Sequence, residues 1–193
     1  MTTSPLGLRR FGHEERVTEM KKRIVLTFGC LSGAVSAALM LATVPFMDRI
    51  GFDRGLVVGY TGMVVSFLFV FFGVRAYREQ LGPAPLTFGN AFGVGLMITL
   101  ISCVFYVVTW EIVYFNFMPD FTDRYGKHVL DQLRASGATE AAILARQKEL
   151  LDFKEMYRNP LVNIAFTFIE PLPVGLLMTL ISAVTLRAKR TKN

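Results

Sequence analysis

The chain has little of the chemistry that enzymes and metal proteins use. It contains two cysteines and two histidines, and it has no G-x-S-x-G, H-E-x-x-H or P-loop sequence. Cys30 and Cys103 both stand in apolar runs, where a thiol is usually a small packing residue. The sequence therefore indicates no catalytic residue, disulfide, metal framework or cofactor, and an enzyme is the least supported class of function.

Charge is missing from four long stretches. They are residues 24–47, 55–74, 88–114 and 161–186. None holds Lys or Arg, and Glu111 and Glu170 are their only acids. About 20 helical residues at about 1.5 Å each match a hydrocarbon core about 30 Å thick. We therefore predict an all-α integral membrane protein whose residues 20–190 form one domain with four transmembrane helices.

The two ends of the chain are polar. Residues 1–19 show no hydrophobic period, so we expect a disordered cytoplasmic tail, and residues 191–193 form a second short tail. Met20 and the basic residues after it look like a natural start, which leaves open whether residues 1–19 belong to the native protein. A cleaved signal peptide over residues 20–44 is disfavoured, because the apolar run is longer than an h-region and lacks an A-x-A site.

The distribution of Lys and Arg sets the orientation. The N-terminal tail holds six, the 75–89 loop two and the C-terminal tail four. The opposite side holds nine, accompanied by nine acidic residues. Since basic residues in short flanks stay in the cytoplasm, we expect both termini there.

Residues 115–159 then lie outside, as a small helical extracytoplasmic cap between spans three and four. Two helical patterns mark it: Phe121, Tyr125, Val129 and Leu133, then Ile143, Leu150 and Tyr157. The first ends near Gly137, and Thr139 suits an N-cap before the second. Two such helices are too small to fold alone, so we expect them on the outer ends of the spans.

The fourth span carries a polar stripe and a break. Asn163, Thr167 and Glu170 share one helix face, at positions i, i+4 and i+7. Pro171 and Pro173 follow and remove two backbone hydrogen bonds. The prolines either kink the helix to fit a bundle or break it to line a binding site.

Glu111, with Tyr114 one turn further on, is the second intramembrane acid. An acid inside a span is a candidate functional residue, and we expect Glu111 and Glu170 to approach each other in the outer half of the bundle. Each carboxyl is protonated, or paired with a loop residue such as Arg158, or holds a cation. Trp110, Tyr106 and Tyr114 are interpreted as an interfacial aromatic belt.

Two other patterns have structural interpretations. Small-residue faces stand at Gly29-x-x-x-Gly33, Gly55-x-x-x-Gly59 and Gly89-x-x-x-Gly93. They favour helix contacts within one bundle, with homodimerisation as the alternative. His128 and Asp131 lie one turn apart near Asp120 and Asp123, where a solvated helix face is favoured over a metal site.

Three runs resemble a known family: FVFFGVRAYREQ (69–80), LTFGNAFGVGLMITLISCVFYVVTWEI (86–112) and FKEMYRNPLVNIAFTFIEPLPVGLLMTLISA (153–183). Over roughly residues 21–190 the chain resembles the bacterial membrane-protein family called domain of unknown function 4199. The resemblance implies a four-span protein of the bacterial inner membrane and no established activity.

Two function classes remain. The first is a non-catalytic membrane component that binds a lipid, or a membrane or periplasmic partner protein. The second is a small proton- or cation-coupled carrier that uses Glu170 and Glu111. In either class the expected partners include the lipid bilayer. Nothing in the basic tails is typical of nucleic-acid binding.

Overall fold

The computed structural model describes the backbone of residues 5–187 and the side chains of residues 15–187. In this range the chain is helical and forms no strand. The elements are α1 (Pro5–Thr43), a 3₁₀ turn (Val44–Phe46), α2 (Met47–Gln80), α3 (Phe88–Asn116), α4 (Phe121–Ala135), α5 (Glu140–Tyr157), α6 (Pro160–Ile169) and α7 (Leu172–Leu186). The predicted tail at 191–193 lies outside the described residues.

The start of α1 differs from the prediction. Residues 5–19 were expected to be disordered, whereas α1 begins at Pro5. The physical reason is that helix growth from an existing helix needs no new nucleus, and residues 13–23 contain neither Gly nor Pro to stop it. Residues 1–4 lie outside the described part.

Three described stretches are long and apolar enough to cross a membrane: Glu15–Gln80, Phe88–Asn116 and Pro160–Leu186. The first has 66 residues. If it were one straight helix it would measure about 100 Å, roughly three times the hydrocarbon thickness. It is not straight, because the chain turns back on itself between α1 and α2.

We call residues 44–53, which include the first residues of α2, the α1–α2 turn, and this turn produces an antiparallel hairpin. Within α2, Gly51 has a non-helical backbone with φ 72°, which favours glycine. Beyond it the Ser32 hydroxyl donates to the Ser66 carbonyl over 2.8 Å, and Leu39 packs beside Gly62. Residues later in α1 thus face residues earlier in α2, which is the order of an antiparallel pair.

α4 and α5 lie together at one end of the bundle. Phe52 in the α1–α2 turn packs edge-on against Phe121 and Tyr125 of α4, at centroid distances of 5.8 and 5.7 Å. Asp48 in the same turn pairs with Arg124. We call this the loop end, and the opposite end, which carries Arg23 and Arg187, the terminal end.

The helices pack most closely in the region that extends from the middle of the bundle to the terminal end. Gly29 and Gly33 of α1 receive Ile101 and Phe105 of α3, so the first predicted small-residue face is used inside the chain. The other two faces are more open. A methyl group added at Gly59 or Gly89 would meet no described atom within 4 Å, and one at Gly55 or Gly93 would meet only the end of a long side chain, Met47 or Lys21. Such open small-residue faces are available for contact with another helix.

Candidate functional site

The break in the last span is a kink. Glu170 and Pro171, between α6 and α7, both keep right-handed helical backbone angles. Because Pro171 and Pro173 have no N–H, they cannot donate to the carbonyls of Thr167 and Ile169. The helical path therefore continues from α6 into α7 without the two backbone bonds that the prolines remove.

The carboxyl at this kink has a tyrosine partner. The Tyr106 hydroxyl of α3 donates to Glu170 Oε2 over 3.1 Å. The Glu170 side chain is exposed at the protein surface. A phenol and a carboxyl together offer both donor and acceptor oxygens, so the pair suits a proton, a cation or a hydrogen-bonding ligand.

A buried polar chain runs beside this pair. Trp110 Nε1 donates to the Tyr157 hydroxyl over 2.9 Å, which lies 3.4 Å from the Thr167 hydroxyl. Thr167 in turn donates to Asn163 Oδ1 over 3.0 Å. The chain ends there, since Asn163 is 0% exposed and its Nδ2 has no described partner.

The polar chain joins three elements around one tyrosine. Tyr157 ends α5, Trp110 belongs to α3 and Thr167 to α6. Burial raises the pKa of Tyr157 above its ordinary value, and its hydrogen bonds with Thr167 and Trp110 act in the opposite direction. The predicted stripe is therefore divided: Asn163 and Thr167 join this chain, whereas Glu170 bonds to Tyr106.

An opening leads to Glu170 from the side. α2 packs against α7, and α6 packs against α3 and α5, while α2 and α6 are not among the described helix pairs in extensive contact. Tyr60 stands seven residues before Phe67, hence on the same face of α2. Phe67 is buried near Gly175 of α7, but Tyr60 is exposed.

We call this gap the side opening and define it by Leu56, Gly59 and Tyr60 on α2, with Tyr106 and Glu170 opposite. Tyr60 is among the ionisable side chains in the neighbourhood of Tyr106. Leu56 is 57% exposed. One face of α2 is thus buried in the core at Phe67 and open at Leu56 and Tyr60.

The two acids occupy different faces. Glu111 stands seven residues after Val104 and eleven after Leu100, which are exposed and share its side of α3. Its Oε1 is buried without a described partner. Five residues separate it from Tyr106, which places it about 7.5 Å further along α3 and about 140° around it. The structure shows no hydrogen bond between Glu111 and Glu170 in its described residues.

Tyr114 and Arg158 have described partners other than the intramembrane acids that the sequence suggested. The ring of Tyr114 packs against Trp110 and Tyr157, at 6.1 and 5.3 Å. Arg158 pairs with Glu155 over 3.0 Å, so its described partner is not an intramembrane acid.

The acidic and histidine cluster of α4 is occupied by protein contacts. His128 lies 3.2 Å from Asp53 in the α1–α2 turn, and Asp131 pairs with Arg134 over 3.2 Å. Residues 15–187 contain no group of three His, Cys, Asp or Glu side chains arranged to hold a metal ion.

Sequence reasoning missed the partners of the polar stripe. Tyr106 and Trp110 were interpreted as interfacial residues, but both direct their polar atoms to other helices. One signal was available, because they stand four residues apart and therefore share a helix face. The partner of that face is set by tertiary packing, which the sequence pattern does not contain.

Comparison with known proteins gives a family and no individual relative. A search of curated proteins and a search of solved structures each find no match. The family model described as Protein of unknown function (DUF4199) matches residues 27–188, most of the helical part of the chain. The resemblance noted in the sequence is thereby confirmed, and the chain belongs to the DUF4199 family.

Proposed function

We propose that the chain crosses the bacterial inner membrane four times, with α1, α2, α3 and the α6–α7 pair as the four spans. The antiparallel contact between Ser32 and Ser66 supports two separate crossings by the first apolar stretch. Each arm then has a length that fits a hydrocarbon core.

Both termini are cytoplasmic in this proposal, and α4 with α5 forms the extracytoplasmic cap. The excess of Lys and Arg in the short flanks of the terminal end supports this orientation. Two ion pairs support this arrangement. Arg124 with Asp48 joins the cap to the loop end, and Lys154 with Asp123 joins α5 to α4 within the cap.

The function that the geometry supports best is non-catalytic binding of a lipid or a partner helix at the side opening. The observation that carries it is the exposed Glu170–Tyr106 pair beside an uncovered face of α2. A polar pair exposed to hydrocarbon is costly without a partner. A molecule in the opening lowers that cost, while the kink keeps α6 away from α2.

A photo-crosslinking amino acid at Leu56 tests this proposal. In native membranes we expect a discrete adduct, either a lipid or one protein, from Leu56. The matched control is Leu177 on α7, which is also 57% exposed but lies outside the opening. Equal labelling of both positions by bulk lipid would contradict a specific site.

A proton- or cation-coupled carrier is the second candidate, favoured by the Tyr106–Glu170 hydrogen bond. Purified protein in vesicles with an entrapped pH or cation indicator then shows flux that Glu170→Gln abolishes. Glu155→Gln, at an exposed residue paired with Arg158, keeps wild-type flux. Absence of flux in the wild type rejects the carrier and leaves the binding proposal standing.

A further inference from the structure

A cavity lies at the terminal end, remote from the side opening. It has a volume of about 700 Å³ and sits where the last turns of α2 meet the 82–86 loop and the end of α7. Its lining has an apolar part and a charged part. The residues used below are Phe71, Leu86 and Leu186, with Arg75, Arg78 and Glu79.

Among the described residues that line this cavity, one cation has no described partner. Arg75 Nε bonds Glu79 Oε1 over 2.9 Å, so these two charges neutralise each other. Arg78 has no hydrogen bond or ion pair within the described residues. The described lining of the cavity therefore keeps one unpaired positive charge and no unpaired acid.

Four of the five loop residues beside it add no competing donor. Pro83 and Pro85 lack an N–H, and the N–H groups of Gly82 and Ala84 already donate to the carbonyls of Glu79 and Leu81. The Gly82 bond also occupies one of the last carbonyls of α2, which lowers the repulsion that an anion would meet there. Arg78 is thus the group that would receive an anion.

The position of the cavity distinguishes a lipid from a soluble anion. Val74 closes the uncharged run of α2, and Arg75 and Arg78 follow within one turn, at the level of lipid headgroups in the proposed crossing. Below them Phe71 and Leu186 provide an apolar floor. Inorganic phosphate needs no such floor, whereas the glycerol and first methylenes of a lipid fill it.

We propose that this cavity binds an anionic phospholipid, with Arg78 holding the phosphate and the apolar floor holding the glycerol end of the acyl chains. Charge favours phosphatidylglycerol over phosphatidylcholine, because Glu79 is engaged by Arg75 and offers nothing to a choline cation. The inference uses the membrane crossing proposed above and is independent of what occupies the side opening.

The test is retention of lipid by the purified full chain. The protein is equilibrated in detergent with equal amounts of phosphatidylglycerol and phosphatidylcholine, and bound lipid is counted by native mass spectrometry. We expect a preference for phosphatidylglycerol that Arg78→Ala lowers about fivefold, the value of one basic residue near an anionic headgroup. Arg78→Lys keeps most of the preference, because it keeps the charge.

Two further variants keep the result interpretable. Arg54→Ala removes an arginine at the loop end that has no described partner, and it should leave the preference unchanged. Ala84→Trp fills the cavity from its exposed loop without entering the core, and should lower the preference as Arg78→Ala does. Wild-type preference in Arg78→Ala or in Ala84→Trp overturns the proposal, as does displacement of the lipid by excess glycerol phosphate.

Discussion

Thr167 occupies the middle of the buried polar chain and has neighbours on both sides. It lies 3.4 Å from the Tyr157 hydroxyl and donates to Asn163 over 3.0 Å. Thr167→Val keeps its shape and removes its hydroxyl, which leaves Asn163 with no described partner at either end of its amide. We expect the free energy of unfolding to fall by about 1–3 kcal/mol, measured by denaturant titration in detergent.

Thr185→Val is the control for this change. Thr185 is exposed, and its hydroxyl bonds carbonyls of its own helix at Ile181 and Ser182. Its replacement leaves no buried group unpaired, so the free energy of unfolding should change by less than about 0.5 kcal/mol. Equal effects of Thr167→Val and Thr185→Val would show that the buried polar chain adds nothing to stability.

The burial of Tyr157 predicts a dependence on alkaline pH. Its pKa is raised above the ordinary value of 10 because the ionised form is poorly solvated in the fold. The folded protein therefore holds this proton more tightly than the unfolded chain does. The stabilisation is complete below about pH 10 and is lost as the pH rises through the folded-state pKa.

We expect the thermal midpoint to fall more steeply above pH 10 in the wild type than in Tyr157→Phe. Circular dichroism melts between pH 8 and 11 measure this difference. Parallel curves would show that Tyr157 loses its proton as easily in the fold as in the unfolded chain.

At this scale the sequence predicted which side chains are polar but not how they pair. The spacing of Asn163 and Thr167 correctly placed them on one face, and the structure joins them directly. The bond from Tyr106 to Glu170 links residues 64 positions apart. Helical spacing reaches only neighbours within a few turns, so such a pair depends on how α3 and α6 pack.

Among the helices, the contact of α7 with α3 is the most sensitive to added volume. A Cβ on Gly175 would overlap the Thr99 methyl, and the Thr99 and Thr179 hydroxyls share a bond of 3.0 Å beside it. We expect Gly175→Ala to destabilise the protein by about 1–3 kcal/mol, because a packed interior does not yield to an extra methyl.

Gly59→Ala is its counterpart on α2. An added methyl there meets no described atom within 4 Å, and alanine favours a helix over glycine by up to about 1 kcal/mol. Denaturant titration should therefore show an unchanged or raised stability for Gly59→Ala and a lowered one for Gly175→Ala. A destabilising Gly59→Ala would mean that a second copy of the chain packs on this face of the purified protein.

The pairing of α4 with α5 depends on Leu150. This side chain is half-buried and faces Gly126 of α4. Leu150→Asp places a charge between the two helices, and we expect limited proteolysis to cut the 115–159 region faster. Leu151→Asp should have little effect, because Leu151 is 54% exposed. Equal cleavage of both variants would contradict the described packing.

The bounds of these helices were well predicted from local signals. The first loop pattern was expected to end near Gly137, and α4 ends at Ala135. Thr139 was expected to cap the next helix, and its side chain accepts the Ala142 N–H over 3.3 Å. Caps and periods are encoded within a few residues, whereas the docking of α4 on Phe52 depends on contacts across the chain.

At the scale of the whole molecule, the proposed orientation predicts which ends a reagent can reach. Cysteines introduced singly at Lys148 and Lys192 are exposed to a membrane-impermeant thiol reagent on intact spheroplasts. We expect labelling at Lys148 and protection at Lys192, since the first lies in the cap and the second in the cytoplasmic tail. Labelling at Lys192 alone would reverse the orientation.

The apolar stretches predicted the helical class because length and hydropathy are properties of composition. They did not predict the uncovered face of α2. Leu56 and Phe67 belong to one apolar run, yet Leu56 is 57% exposed and Phe67 2%. The difference comes from the kink at Pro171, which turns α6 toward α3 and α5, far along the chain from α2.

The clasp between α4 and the α1–α2 turn has a consequence for biosynthesis. Asp48, Phe52 and Asp53 find their partners among residues 121–132, which leave the ribosome more than 65 residues later. In the proposed topology the first hairpin therefore enters the membrane before its turn has a partner, and α4 packs on the turn only after the third span has been made. A nascent chain arrested before Phe121 holds that turn open to protease, and extension past Gln132 closes it.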